Sequence, residues 1–160
     1  MGERAQKLAE QFEQATAEFA NEIDNTPDEK WQTAQSEEGW SVAATAQHVA
    51  GQFYPIENDY ISAAAEGKPM PTYTWDDING KNDNRAAQNT SASKAEVLEL
   101  LRKDGARMAD YIRGLTDEQL DRQVPLALAD GAMVTTQQLI EGGVLIDHVR
   151  GHLKSIRAAM

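Results

Sequence analysis

"IDHVRGHLKSIR", residues 146–157, holds two of the three histidines in the chain, four residues apart. Ile146, Val149, Leu153 and Ile156 recur there at intervals of three and four, the stripe of an amphipathic helix. Residues i and i+4 of a helix stack one turn apart, so His148 and His152 aim two imidazoles at one small volume beside that stripe. The remaining histidine, His48 in "ATAQHVAG" (44–51), stands beside Val49 among small residues that allow helices to approach closely.

Working outward from residues 146–157, the last helix is expected to begin at Thr135, where Thr135 and Gln138 make a capping box, and to run through Leu139 to about Ala158. Upstream, Leu8, Phe12, Phe19 and Ile23 mark a first helix over Glu3–Asp24. Thr26 is placed to cap, and Pro27 to open, a short turn carrying Trp31. Ser41 caps a second helix with Val42, Val49, Phe53, Ile56 and Tyr60, ending at Gly67. Pro55 should bend it by removing a backbone donor and crowding the carbonyl of Gly51. Residues 67–92, rich in Pro, Gly, Asn and Asp, read as a long connection with a short helix near 83–87. So long a connection leaves the topology open between an up-down bundle and a crossover. Ser93 with Glu96 opens a third helix through Val97, Leu101, Met108 and Ile112, closed at Gly114. Thr116 caps a further turn. Asp130-Gly131 then reads as either a hairpin turn or part of an extended loop. Four amphipathic helices without a strong strand predict an all-α four-helix bundle, one domain over residues 1–160.

The net charge is -11, with basic residues scattered singly or in pairs rather than gathered in a stripe. Nucleic acid is therefore not an expected partner. There is no cysteine, which excludes disulfides, thiolate metal sites and a cysteine nucleophile. No apolar stretch reaches the length of a membrane span and "MGERAQKLAEQ" has no secretory apolar core, so the cytoplasm is the default expectation.

Three histidines from two facing helices would make a three-nitrogen site with open positions, suited to Zn²⁺, Ni²⁺, Fe²⁺ or Mn²⁺. The commoner role of a histidine beside an apolar face is a boundary group satisfied by a carbonyl or carboxylate. The Glu-x-x-His pattern of di-iron bundles is absent, since Thr45, Leu145 and Val149 stand three before the histidines. His-Glu-x-x-His is also absent, because Val149 follows His148. Thr45 and Gln52, each about a turn from His48, could orient a ligand or substrate. Glu141 and Asp147 are candidates for an outer carboxylate or proton acceptor, although solvated helix faces usually carry such residues. Tyr54, Tyr60, Tyr73 and Trp75 could wall a pocket with the long connection as lid. The expected alternative is that Trp75 anchors that connection and the tyrosines bridge core and water. Trp31 and Trp40 are expected to pack the loop before helix two.

"GWSVAATAQHVAG" (39–51) and "LIDHVRGHLKSIR" (145–157), in this order and with these loops between, resemble the DinB/YfiT-like superfamily. The resemblance spans nearly the whole chain. It implies a four-helix bundle of unusual crossover topology, often dimeric, with a divalent metal held by His48, His148 and His152. Members include thiol S-transferases using bacillithiol or mycothiol, mycothiol-dependent maleylpyruvate isomerase, and metal-dependent hydrolases. The expected activity is therefore metal-dependent activation of a low-molecular-weight thiol, or water, against a small electrophilic substrate. A metal-binding or stress-associated interaction protein without turnover, and a carrier of small apolar ligands, are the alternatives.

Overall fold

The computed structural model describes residues 2–88 and 92–160. The first helix, α1 (Glu3–Asp24), buries Ala5, Leu8, Ala9, Phe12, Ala15, Phe19 and Ile23, a stripe widened by alanines. Pro27 itself takes the cap position of α2 (Asp28–Trp31), so the expected Thr26 cap is corrected. Thr26 instead donates its hydroxyl to the Glu22 carbonyl at 2.8 Å, closing the end of α1. Trp31 is buried and its indole donates to the Ala92 carbonyl at 2.7 Å, which pins this turn beneath the third long helix.

Ser41 caps α3 (Val42–Pro55), accepting from the Ala44 N–H. Helix two then continues as a π-helical stretch (Ile56–Ile61) and a last α-turn, α4 (Ser62–Glu66), stopped by Gly67 at φ 71°. The bend expected at Pro55 thus takes the form of a change in winding, with Pro55 as the last α-helical residue. The connection after Gly67 is more ordered than its composition suggests. α5 (Trp75–Gln88) fills much of it, in place of the short helix expected near 83–87, and the three residues at 89–91 lie outside the described part. Thr74 and Asp77 exchange side-chain and backbone hydrogen bonds across its first turn. Only Ala86 of α5 is buried, so no apolar period could announce it.

The third long helix, α6 (Lys94–Arg113), is capped at Ser93 and ends at Gly114. α7 (Asp117–Asp121) opens with a Thr116–Gln119 capping box. A hairpin follows, β1 (Gln123–Leu126) antiparallel to β2 (Ala132–Thr135), turned at Asp130 and Gly131 with φ of 56° and 81°. The continuous last helix is corrected to two. α8 (Thr136–Glu141) carries the expected Thr135–Gln138 box, and α9 (Ile146–Ala158) starts after a break at Gly142–Leu145. Gly142 is extended at ψ -157°, and a Cβ there would stand 2.9 Å from the Gln138 carbonyl oxygen.

α1 packs between α6 and α9, and α3 packs between the same two. Successive long helices α1 and α3 therefore lie diagonally opposed, which is a crossover bundle and not an up-down one. They meet across the centre through Phe12 and Phe53, edge to face at 5.2 Å between ring centres. A smaller cluster, Ala64, Val124 and Leu139, seats the hairpin on one end. Among the described residues no helix is long and apolar enough to cross a membrane.

Candidate metal centre and its cavity

The close neighbours α3 and α9 bring the three histidines to one point. His48 Nε2 lies 3.0 Å from His148 Nε2, and His152 Nε2 lies 3.2 Å from the same atom. Three ring edges this close cannot satisfy one another, because each neutral imidazole carries one proton and presents one lone pair. Three nitrogens at Zn–N distances of ~2.0–2.1 Å and tetrahedral angles stand about 3.3 Å apart, so the spacing fits a shared divalent ion.

Burial, together with the neighbouring His152 and Arg85, pushes His48 down to about 3. Burial also holds His148 well below its ordinary value, with His152 and His48 adding to the effect. His152 is lowered by burial against the opposing pull of Glu38. All three rings are therefore neutral near pH 7, the state in which imidazole ligates metal.

Glu38 is a site residue that the spacing of histidines could not reveal. Its Oε1 faces His152 Nδ1 at 3.1 Å, while its Oε2 accepts from Ser155 Oγ at 2.7 Å. Ser155, in turn, accepts from the Glu37 N–H at 2.8 Å. Burial opposes the charge of Glu38, but hydrogen bonds from Ser36, Ser155 and its own backbone, with His152 nearby, hold its carboxyl below the usual range. A tight turn supports it, Ser36 N–H to the Trp40 carbonyl at 2.8 Å, with Gly39 at φ 82°. Thr45 braces that turn by donating to Ser36 Oγ at 3.0 Å, which is its place in the site. The carboxylate–histidine pair orients the His152 ring as outer partners of metal ligands commonly do. The signals for it were a Gly-terminated acidic loop just before helix two and a serine one turn after His152.

Trp40 does more than pack its loop. Its ring stacks near His152 at 6.3 Å and 19°, meets His48 edge-on at 5.2 Å, and its indole donates to Asp83 of α5 at 3.0 Å. Glu141 lies exposed, accepting from Gln137 at 2.7 Å, and Asp147 is exposed in the first turn of α9; neither lines the cavity. Gln52 does line it.

His48 and His148 open onto a cavity of about 400 Å³ between α3, α5, the hairpin and the α8–α9 break. Tyr60, Tyr73 and Trp75 are in its wall, whereas Tyr54 lies outside it, stacked under Arg107 at 4.3 Å. Trp75 both anchors and lines, since its indole donates to the Leu128 carbonyl at 2.8 Å. A smaller chamber of about 260 Å³ also reaches His48, Gln52 and Arg85.

No curated protein matches the chain. Among solved structures, YfiT from Bacillus subtilis, described as a probable metal-dependent hydrolase with an unusual four-helix bundle topology, is 16% identical with a TM-score of 0.71, covering 99% of this chain and 87% of its own. Mycothiol-dependent maleylpyruvate isomerase is 14% identical with a TM-score of 0.72; the match covers 95% of this chain but only 60% of the isomerase. The Sibling Lethal Factor precursor DfsB is 16% identical at a TM-score of 0.68, covering 99% and 95% of the two chains. These likenesses concern the fold. The DinB superfamily matches residues 11–156, nearly the whole bundle and all three histidines, and the chain belongs to that superfamily.

Proposed function

We propose that the protein is a divalent-metal-dependent enzyme that activates a low-molecular-weight thiol, or water, for attack on a small electrophilic substrate. The observation that carries this reading is the meeting of three neutral imidazole edges where two of the rings open onto the cavity. His48, His148 and His152 would hold the ion, and Glu38 keeps the His152 ring turned toward it. A bound divalent ion with three neutral ligands would keep its full charge as a Lewis acid, lowering the pKa of a coordinating water toward ~7 and holding a coordinating thiol as its thiolate. Trp40 packs against His48 and His152, and the cavity bounded by α5 gives a reactant access to His48 and His148. Gln52, one turn after His48, lines the same cavity and would help to hold a reactant there. The neighbouring structures described as a metal-dependent hydrolase and a mycothiol-dependent isomerase support the same chemical class.

Protein purified without a nickel column and reloaded should bind one equivalent of Zn²⁺ or another divalent ion, and His148→Ala should bind less than a tenth as much. Thiols screened against electrophiles should then give metal-dependent product that His48→Ala abolishes. Stoichiometric metal without turnover of any thiol or hydrolytic substrate would favour the binding-protein reading. Ligand uptake that survives loss of the triad would favour a carrier.

A further inference from the structure

α5 has a helical face without an apolar period. Trp75, Ile78, Lys81, Asn82 and Arg85 recur at helical spacing and all line the large cavity. The inward face of a surface helix is ordinarily apolar. Here two cations and an amide occupy it, in a chain whose net charge is -11. Lys81 and Arg85 are one turn apart, about 6 Å along the helix axis. Lys81 Nζ lies 4.0 Å from the centre of the Tyr73 ring, and the Arg85 charge acts on His48. Among the described residues lining the cavity Asp59 is the one carboxylate, and Asp77, one turn before Lys81 on α5, also faces the Lys81 charge. The remaining wall is mainly apolar.

The opposite wall supplies a polar group without a partner. Tyr60 Oη is buried and makes no hydrogen bond among the described residues. The π-helical stretch brings it there. At about 100° per residue, an uninterrupted α-helix would set Tyr60 some 120° away from His48. Winding the last five steps at about 82° per residue reduces the offset to about 30°. His48, Gln52, Ile56 and Tyr60 consequently line one wall of the cavity. Burial first, then Asp59 and Tyr73, raise the Tyr60 pKa, so its hydroxyl remains a donor at neutral pH.

We infer that the cavity takes a small organic anion with an apolar or aromatic body, its charge held by Lys81 and Arg85 and a polar atom by Tyr60. This rests on the reading of the cavity as the chamber that the metal centre serves. Lys81, Arg85 and Tyr60 are specificity residues in this scheme, and the apolar wall sets the size of the body.

The test is calorimetric titration of 4-phenylbutyrate, 4-phenylbutanamide and 4-phenylbutylamine into the full-length protein, with and without Zn²⁺. The carboxylate should bind at least tenfold more tightly than the amide in both states, and the amine should bind most weakly. Lys81→Met/Arg85→Met should bring carboxylate and amide within twofold of each other. Tyr60→Phe, which keeps the ring, should weaken the carboxylate three- to tenfold with an unchanged circular dichroism spectrum. Equal binding of carboxylate and amide, absence of binding by both, or selectivity that persists in the double variant would overturn the inference. Because the readout is binding, a failed turnover screen with intact selectivity removes only the catalytic reading.

Discussion

Glu38 has two tasks that pull on its two oxygens, one facing His152 and one holding Ser155. Glu38→Gln keeps the shape but loses the charge, and should weaken metal affinity 10–100-fold in competition with a chelator, the usual cost of losing an outer carboxylate. An affinity within twofold of the parent would show that His152 needs no such orientation. The histidines themselves predict how the metal-free fold responds to acid. His48 titrates near 3 when folded and near 6.5 when unfolded, so the unfolded chain takes up the proton first. The stability this neutral ring confers is complete above pH ~6.5 and is lost as pH falls toward 3, by up to about 1.4 kcal/mol per pH unit. His148 and His152 are shifted in the same direction. Urea midpoints of chelated protein should therefore fall between pH 7.5 and 5, and His48→Gln should flatten that fall. The depressed carboxyl of Glu38 acts in a lower window, where stability is lost as pH drops through its folded pKa.

At the level of elements, the break between α8 and α9 sets the register of His148 and His152 on α9. The Gly142 carbonyl accepts from the N–H groups of Leu145 at 3.2 Å and Asp147 at 3.0 Å, which bridges the break to the start of α9. Gly142→Ala would press its Cβ on the Gln138 carbonyl and should cost about 1–3 kcal/mol, read by chemical denaturation, with weaker metal binding as α9 shifts. Gly143→Ala is the control: a Cβ there meets nothing within 4 Å, and near-parental stability is expected. Similar losses at both positions would place the strain elsewhere. Leu139, Ile146 and Val149 continue an apolar stripe across Gly142 and Gly143, so the expectation from sequence is a single helix, and apolar spacing alone cannot distinguish one helix from two in succession. α5 was hidden for the opposite reason, because its inner face borders a cavity and carries cations where core contact would require apolar side chains.

Across the molecule, α1 and α3 lie diagonally and Phe12 meets Phe53 between them in the core. Phe12 is fully buried, and Phe12→Ala should cost about 3–5 kcal/mol by denaturant titration, with metal affinity reduced because α3 carries His48. A cost below 1 kcal/mol would mean that α6 and α9 position α3 without this contact. The connection between Gly67 and Lys94 leads from α4 to α6, a helix that packs directly on α3. α5 is built on that path, beside the three histidines. Function gains from the arrangement, since the segment that completes the topology also forms the wall of the cavity.

The sequence by itself determined the four long amphipathic segments, most of their caps and the identity of the three histidines. These depend on interactions within a few residues, where helical period, side-chain capping and left-handed turn residues act. Tertiary structure alone decided that α1 and α3 lie diagonally, that Glu38 and Ser155 stand behind His152, and that Tyr60 and α5 face the site. Each of these joins residues far apart in the chain, or depends on whether a helix face meets core, cavity or solvent. A linear pattern records which side chains are present on a face, and packing determines what that face meets.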